Sequence, residues 1–307
     1  SRVQSTLGTD IARKGSNFTI RKFTKDPLTP VHLQKFKTLN SDVAAYLWLA
    51  IDYGRSMLIS GGTATGKTSM LNAMSLFIKP ELKIVSIEDT PELRLPHTHW
   101  VPSVARQPIA EIEGTVLGEV DMFALLRESL RQRPDYLIVG EVRGREAYVL
   151  FQQIATGHAS LSTIHADSLN RLIDRLTTPP INLPANLIES LDIIIFLTKI
   201  KYGNSYVRKV ASILEILGFD REKNVPIVNE VFKWNPRTDK FEQVNPSVIV
   251  KKISEQYGIN KSELEKEIKN RKSVLDWMSE RGILDFMDVA RIIKIYYSRP
   301  EELLDAI

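Results

Sequence analysis

The chain contains no cysteine among its 307 residues. That excludes a disulfide framework, a cysteine nucleophile, an iron–sulfur cluster and a thiolate zinc site together. It fits a reducing compartment. Long apolar runs are missing as well. The longest, Leu191-Asp-Ile-Ile-Ile-Phe-Leu197, has the length of a strand and an acid near its start, well short of the roughly 18–20 residues that cross a bilayer. Glycine and proline, 15 each, are too few for a collagen-like or low-complexity chain. A strong excess of one charge is also lacking: 41 Lys+Arg face 37 Asp+Glu, and a net +4 does not by itself point to nucleic acid. No secretory signal is evident. The chain opens Ser1-Arg2-Val3-Gln4 without an initiator methionine and is expected to be a fragment or a processed form.

What charge there is lies unevenly. Residues 1–40 hold eight bases and two acids, so the basicity belongs to the N-terminal segment and the remainder is slightly acidic. Such a segment is either a solvated basic strand pair or a set of cations that meet an anion on a neighbour or at a membrane surface. Residues Arg2–Leu7 and Asn17–Phe23 read as two short strands, too few to stand alone and expected to complete a larger sheet. Asp26-Pro-Leu-Thr-Pro30 reads as a linker. From there strands and helices alternate. Helices are expected at Ser41–Tyr53, Lys67–Ile78, Met122–Gln132 and Gly144–Ala155. Strands are expected at Met57–Ser60, Leu82–Ile87, Tyr136–Val139, Leu161–Ile164 and Ile193–Leu197. That order predicts an α/β domain with a mostly parallel sheet. In the Met122–Gln132 helix, Met122, Leu125, Leu126 and Leu130 form one apolar face, with Asp121 as cap and Pro134 as stop. Val207–Leu217 and Val228–Phe241 read as antiparallel ribbons turning near Asn235-Pro-Arg-Thr. Residues 248–307 are helical, charged and neutral overall. There Leu264, Ile268, Leu275 and Met278 share a face, and Glu265/Lys269 and Glu267/Arg271 are spaced as supportive i,i+4 pairs. This gives three expected parts: 1–28, 29–247 and 248–307.

Gly61-Gly-Thr-Ala-Thr-Gly66-Lys67-Thr68 matches the phosphate-binding pattern G-x-x-x-x-G-K-[ST], between a strand and an apolar-periodic helix as the pattern requires. Glycines let such a loop curl until successive backbone N–H groups face phosphate oxygens, and the helix N-terminus adds partial positive charge. Gly62, Thr63, Ala64, Thr65, Gly66, Lys67, Thr68 and Ser69 are the expected nucleotide-binding residues. Lys67 would neutralise the β- and γ-phosphates, and the Thr68 hydroxyl would hold Mg²⁺. A guanine-reading N-K-x-D is absent. Its nearest match, Asn260-Lys-Ser-Glu263, reads better as a helix capping box. ATP is therefore the expected nucleotide.

Hydrolysis needs a carboxylate for the attacking water and ligands for the metal. One buried strand ends in Glu88-Asp89-Thr-Pro-Glu92, and another leads into Gly140-Glu141-Val-Arg143. Ligands bind beyond the carboxyl ends of strands in such sheets, so both groups are expected at the loop.

These motifs, in this order, resemble those of the type II/IV secretion and type IV pilus ATPases. The Walker A loop lies at 61–68, an Asp box at 87–92, a Walker B at 134–143 and a His box, Thr-Gly-His-Ala-Ser-Leu-Ser-Thr-Ile-His, at 156–165. Arg131-Gln-Arg-Pro-Asp, Thr178-Pro-Pro-Ile-Asn-Leu-Pro and the charged C-terminus with Asp276-Trp277 and Tyr296-Tyr297 resemble the archaeal branch. The resemblance implies a RecA-like core and a hexameric ring with nucleotide between subunits. It implies that Glu88 and Glu141 share the general-base and Mg²⁺ roles, in an order left open. It further implies that His165 senses the γ-phosphate, that His158 shapes its loop, and that Arg2 and Arg21 complete the site, with Arg143 as a further candidate. The implied work is assembly of an archaeal pilus-like filament or archaellum, or secretion. The implied partner is a membrane platform protein, and the chain itself would be cytoplasmic and peripheral. The four-cysteine zinc site of many bacterial relatives is absent, and the family's N-terminal domain is expected to be mostly missing. Two other readings stay open: a RecA-like nucleic-acid motor, which the charge map does not favour, and an ATP-dependent scaffold with little turnover. Metal binding by His158 and His165 is disfavoured by their spacing, and His97/His99 reads as a solvated loop more than a metal pair.

Overall fold

The computed structural model describes all residues except 1, 9–11, 23–25, 107, 109, 113, 114, 221 and 224. The N-terminal strands β1 (Arg2–Thr6) and β2 (Asn17–Arg21) pair with each other in a two-stranded ribbon, outside the main sheet. Then follow α1 (Pro30–Lys35), α2 (Ser41–Asp52), β3 (Met57–Gly61), α3 (Lys67–Ser75), β4 (Ile84–Glu88) and β5 (Trp100–Val104). A small ribbon, β6 (Ala110–Ile112) and β7 (Thr115–Leu117), precedes α4 (Met122–Ser129), β8 (Tyr136–Val142), α5 (Glu146–Ala155), β9 (Ala159–Ile164), α6 (Leu169–Thr177) and α7 (Ala185–Ile188). Strands β10 (Ile193–Tyr202), β11 (Ser205–Asp220), β12 (Val225–Asn235) and β13 (Lys240–Gln243) lead into α8 (Val248–Tyr257), α9 (Lys261–Glu280), α10 (Phe286–Ser298) and α11 (Pro300–Asp305).

Among the described residues one nine-stranded sheet organises the molecule, in the order β13-β12-β11-β10-β3-β9-β8-β4-β5. From β10 to β5 every neighbour is parallel, and from β10 to β13 the strands run antiparallel. The edge strand β5 is largely exposed, while the inner parallel strands β3, β4, β8 and β9 are buried on both faces, as crossover helices require. Their side chains alternate: Met57 and Ile59 of β3, Tyr136 and Ile138 of β8, and Ile193 and Ile195 of β10 enter one core. Leu58, Leu137, Val139, Ile194 and Phe196 enter the other. The first core also takes α2, α3 and the C-terminal helices; the second takes α4, α5 and α6. The P-loop strand β3 therefore sits mid-sheet, with β9 between it and β8. This is the α/β, mostly parallel arrangement expected from the alternating pattern, with the RecA-like core that the family resemblance implies.

Several local expectations need correction. The helix beginning at Met122 ends as α-helix at Ser129 and tightens to a 3-10 turn over Leu130–Gln132. That turn swings Leu130 out to 41% exposure while Leu126 stays buried, so the apolar face is shorter than its spacing suggests. The second ribbon does turn after Asn235 as expected, into β12 and β13, but β10 runs on past Leu197 to form a long hairpin with β11. At Asn260 the side-chain amide meets Glu263 Oε1 at 3.1 Å, and no side-chain-to-backbone cap forms there. Glu265 pairs with Lys261, at 3.4 Å, instead of Lys269.

The C-terminal helices are fastened by an aromatic cluster on α2. Ser41 and every residue from Val43 to Ile51 are buried, as befits a helix apolar on nearly all sides. Trp48 stacks on Phe77 at 4.9 Å, lies 4.9 Å from Tyr296, and donates from Nε1 to Tyr297 Oη at 2.9 Å. Tyr297 in turn donates to Phe77 O at 2.7 Å. The Arg271 guanidinium lies 5.4 Å from the Trp48 ring and 5.6 Å from that of Tyr296. The same guanidinium binds Asp52 at 2.5 Å.

Candidate nucleotide-binding site

The loop between β3 and α3 owes its shape to particular residues. Gly66 has φ +95° and Ala64 φ +58°, a region that glycine enters freely and other residues at a cost. Gly61 lies so close to β10 and to the loop that an added Cβ would stand 2.7 Å from Leu197 O and from Thr65 Oγ1. Thr65 Oγ1 donates to Gly62 O at 3.0 Å, closing the curl. Lys67 opens α3, is buried, and donates from Nζ to Gly61 O at 3.0 Å and Gly62 O at 2.9 Å. It meets no carboxylate among the described residues. Burial is the main cause that lowers its pKa, with Glu141 opposing and Arg143 and Arg175 adding to it. Thr68 and Ser69 are half-buried in the first turn, where backbone N–H groups have no intrahelical acceptor.

The acids arrive from neighbouring strands. Glu88 ends β4, and its Oε1 accepts from the backbone N–H of Glu92 at 2.9 Å and Leu93 at 3.0 Å. Burial raises its pKa, and those two hydrogen bonds partly offset the rise. Gly140 allows the close approach: a Cβ there would stand 3.1 Å from Glu88 Cγ. Glu141 lies inside β8, not beyond its end. The β8–β9 register shifts between Val139 and Val142, and this irregularity turns Glu141 away from the ladder. Thr163 Oγ1 holds the shifted segment by donating to Gly140 O at 2.7 Å. Glu141 Oε2 accepts from Arg143 at 2.5 Å. Its Oε1 is buried without a hydrogen-bond partner and lies 3.6 Å from His165 Nε2. Arg143 also lies 3.6 Å from Asp89, so it stands between the two acidic groups. Burial, followed by Lys67, lowers the His165 pKa. An imidazole so placed is neutral near pH 7 and keeps one ring nitrogen as donor.

Gly62, Thr63, Glu141, Arg143, His165, Arg171 and Arg175 line one cavity of about 460 Å³, a size that suits a ligand. Glu88 is not on its wall. His158 lies away from it too, with Nδ1 3.2 Å from Thr156 Oγ1. Arg2 and Arg21 are cross-strand partners in the N-terminal ribbon; their side chains lie outside the described residues. His97 is not a solvated loop residue: Nε2 donates to Ile78 O at 2.9 Å and burial lowers its pKa. No metal-holding group of His, Asp and Glu occurs among the described residues. Three residues at the site were not anticipated. Arg171 and Arg175 follow the His box at i,i+4 spacing, the one signal that could have found them. Arg208 on β11 donates from Nε to Ala64 O at 2.9 Å. Only the hairpin register brings it there.

The donor set fits a magnesium-bound triphosphate. A buried ammonium held over loop carbonyls without an acid partner calls for an anion, and the orphaned Glu141 oxygen calls for a cation or a water proton.

A family profile described as "Type II/IV secretion system protein" matches residues 4–214. An uncharacterized protein of Methanocaldococcus jannaschii is 45% identical over 246 residues, covering 80% of this chain and 90% of that one. A second from the same organism is 40% identical over 303 residues, covering 97% of this chain and only 54% of that one. The type IV secretion system protein PtlH of Bordetella pertussis is 35% identical over 180 residues, covering 55% of this chain and 52% of its own. Among solved structures, the VirB11 ATPase of the Brucella suis type IV secretion system aligns over 70% of each chain at 23% identity, with a TM-score of 0.48. The fold with its strand–loop–helix site is that of a nucleotide-binding α/β protein. The chain belongs to the type II/IV secretion system protein family.

No helix among the described residues is long and apolar enough to cross a membrane.

Proposed function

We propose that the chain is a motor ATPase subunit that hydrolyses ATP with Mg²⁺. In this reading it works as a hexameric ring on the cytoplasmic face of the membrane. It drives assembly of an archaeal pilus-like filament or archaellum, or secretion, through a membrane platform protein. One observation carries the hydrolytic part: the unpartnered Glu141 Oε1, set beside His165 in the cavity that the P-loop lines. Family membership supports the secretion class, and the methanogen relative supports the archaeal branch.

In this reading the inward N–H groups of Gly62–Ser69 take the β-phosphate, and Lys67 leaves its two carbonyls to neutralise the β- and γ-oxygens. Mg²⁺, held by Thr68 with Glu88 or Glu141, supplies further charge neutralisation when bound. Glu88 Oε1 is saturated by two backbone donors, so Glu141 is the better placed acceptor for a proton of the attacking water. Arg143 holds Glu141 in place through its guanidinium. His165, on the same wall, donates to the terminal phosphate and reports its loss. Arg2 and Arg21 supply the arginines that complete a site between subunits. Residues 1–28 are then the last strands of an N-terminal domain, 29–247 the motor core, and 248–307 a helical appendage.

Calorimetry with Mg-ATP, paired with a phosphate-release assay, tests this. Lys67→Ala abolishes both signals. Glu141→Gln keeps nucleotide binding and lowers turnover by about 10²–10⁴-fold, the usual contribution of a positioned general base. A folded parent protein with no magnesium-dependent nucleotide uptake would refute the reading.

A further inference from the structure

Three arginines line the cavity, and they differ in what they already bind. Arg143 is held by Glu141. Arg171 binds Asp167 at 2.6 Å. Arg175 lines the same wall and meets no carboxylate among the described residues.

Its placement follows from α6. Ser168 caps the helix, and Leu172, Ile173 and Leu176 are buried in the second core. Arg171 and Arg175, four residues apart, therefore share the opposite face. The segment from β9 into α6 is anchored to the P-loop strand, because Ser60 Oγ donates to Ala166 O at 2.6 Å. His165 and the arginine face are thus fixed to the same strand that carries the loop. Arg175 also lies in the last turn of α6, where the helix dipole favours a cation. That role needs no place on a cavity wall beside Glu141 and His165. Its charge is felt inside the site: after burial, Arg175 is among the cations that lower the basicity of both Lys67 and His165.

We propose that Arg175 binds the γ-phosphate of the bound nucleotide from the cavity wall opposite the P-loop, and so distinguishes a triphosphate from a diphosphate. This rests on the nucleotide-binding reading of the loop. Arg171, by contrast, already pairs with Asp167. A guanidinium matches the forked geometry of a phosphate and contributes a charge-assisted hydrogen bond. The diphosphate, ending at the loop, does not reach it.

The test is calorimetric titration of the full chain, in Mg²⁺, with a non-hydrolysable ATP analogue and separately with ADP. Arg175→Ala is expected to weaken the analogue about tenfold, the loss of one such bond, and to leave ADP within about twofold. Arg175→Lys is expected to recover part of the analogue's affinity, and Arg291→Ala, an exposed arginine on α10 paired with Asp288, to leave both ligands within about twofold. Arg175 is exposed, so its variants are expected to melt with the parent. Equal weakening of analogue and ADP, or no change in either, overturns the inference while leaving the nucleotide site standing. A parent chain that binds neither ligand overturns both.

Discussion

Asp52 and Arg271 form a buried pair between α2 and α9, and the two halves are not equally protected against loss of the other. Replacing Arg271 by methionine leaves Asp52 with Lys79, 2.7 Å away on a partly exposed side chain. Replacing Asp52 by alanine leaves a buried guanidinium inside an aromatic cage, with only Glu267 at 3.7 Å. Removing one partner of a buried ion pair costs about 3–5 kcal/mol, most of it the uncompensated charge that remains. Arg271→Met is therefore expected at or below the lower end of that range, about 2–3 kcal/mol, and Asp52→Ala at the upper end, about 4–5 kcal/mol. The double variant Asp52→Leu/Arg271→Met removes both charges and is expected to be less destabilised than Asp52→Ala alone. Urea unfolding followed by tryptophan fluorescence measures all three, since Trp48 lies in the contact. Equal costs for the two single variants would refute the reasoning. So would a double variant as unstable as the sum of the singles.

The remaining predictions concern the loop and an acid-sensitive histidine. Gly61→Ala is expected to destabilise by about 1–3 kcal/mol, the usual cost of forcing atoms into a packed site. It is also expected to weaken nucleotide binding, because its Cβ would meet Leu197 O and Thr65 Oγ1; a thermal melt and a titration indistinguishable from the parent would contradict this. His97 donates from Nε2, so its Nδ1 is an acceptor, and that atom is buried without a partner. A proton added there has nothing to bind. The folded chain thus holds His97 neutral with a lowered pKa, while the unfolded chain takes the proton near the ordinary value of about 6.5. The unfolded state binds more protons below that pH, so stability falls as pH drops through it. His97→Gln is expected to make the fall between pH 7 and 5 shallower in denaturant titrations, and an unchanged slope would remove His97 as its source.

The sequence displayed some of these features openly and concealed others, for physical reasons. The curl of the 61–68 loop was legible because backbone conformation fixes residue identity there: positive φ at position 66 and the close approach at position 61 each call for glycine. The alternating strands were legible because burial on both faces leaves unbroken apolar runs such as Ile193–Leu197. Glu141 was legible as a candidate, but its aim depends on a register shift between β8 and β9, which no single strand encodes. Arg271 misled for a related reason. Its spacing from Glu267 reads as a local i,i+4 pair, and that contact does form at 3.7 Å. Yet its main partner is Asp52, 219 residues earlier, and the rings that enclose it come from α2 and α10. A charged helix shows by periodicity which side faces a core. It does not show which of its charges the core will accept, because that is decided by an acid on another element. The same holds at the cavity. Among the described residues Asp167 pairs with Arg171 and no carboxylate pairs with Arg175, so two arginines that look alike in sequence differ in the charge they present to the cavity.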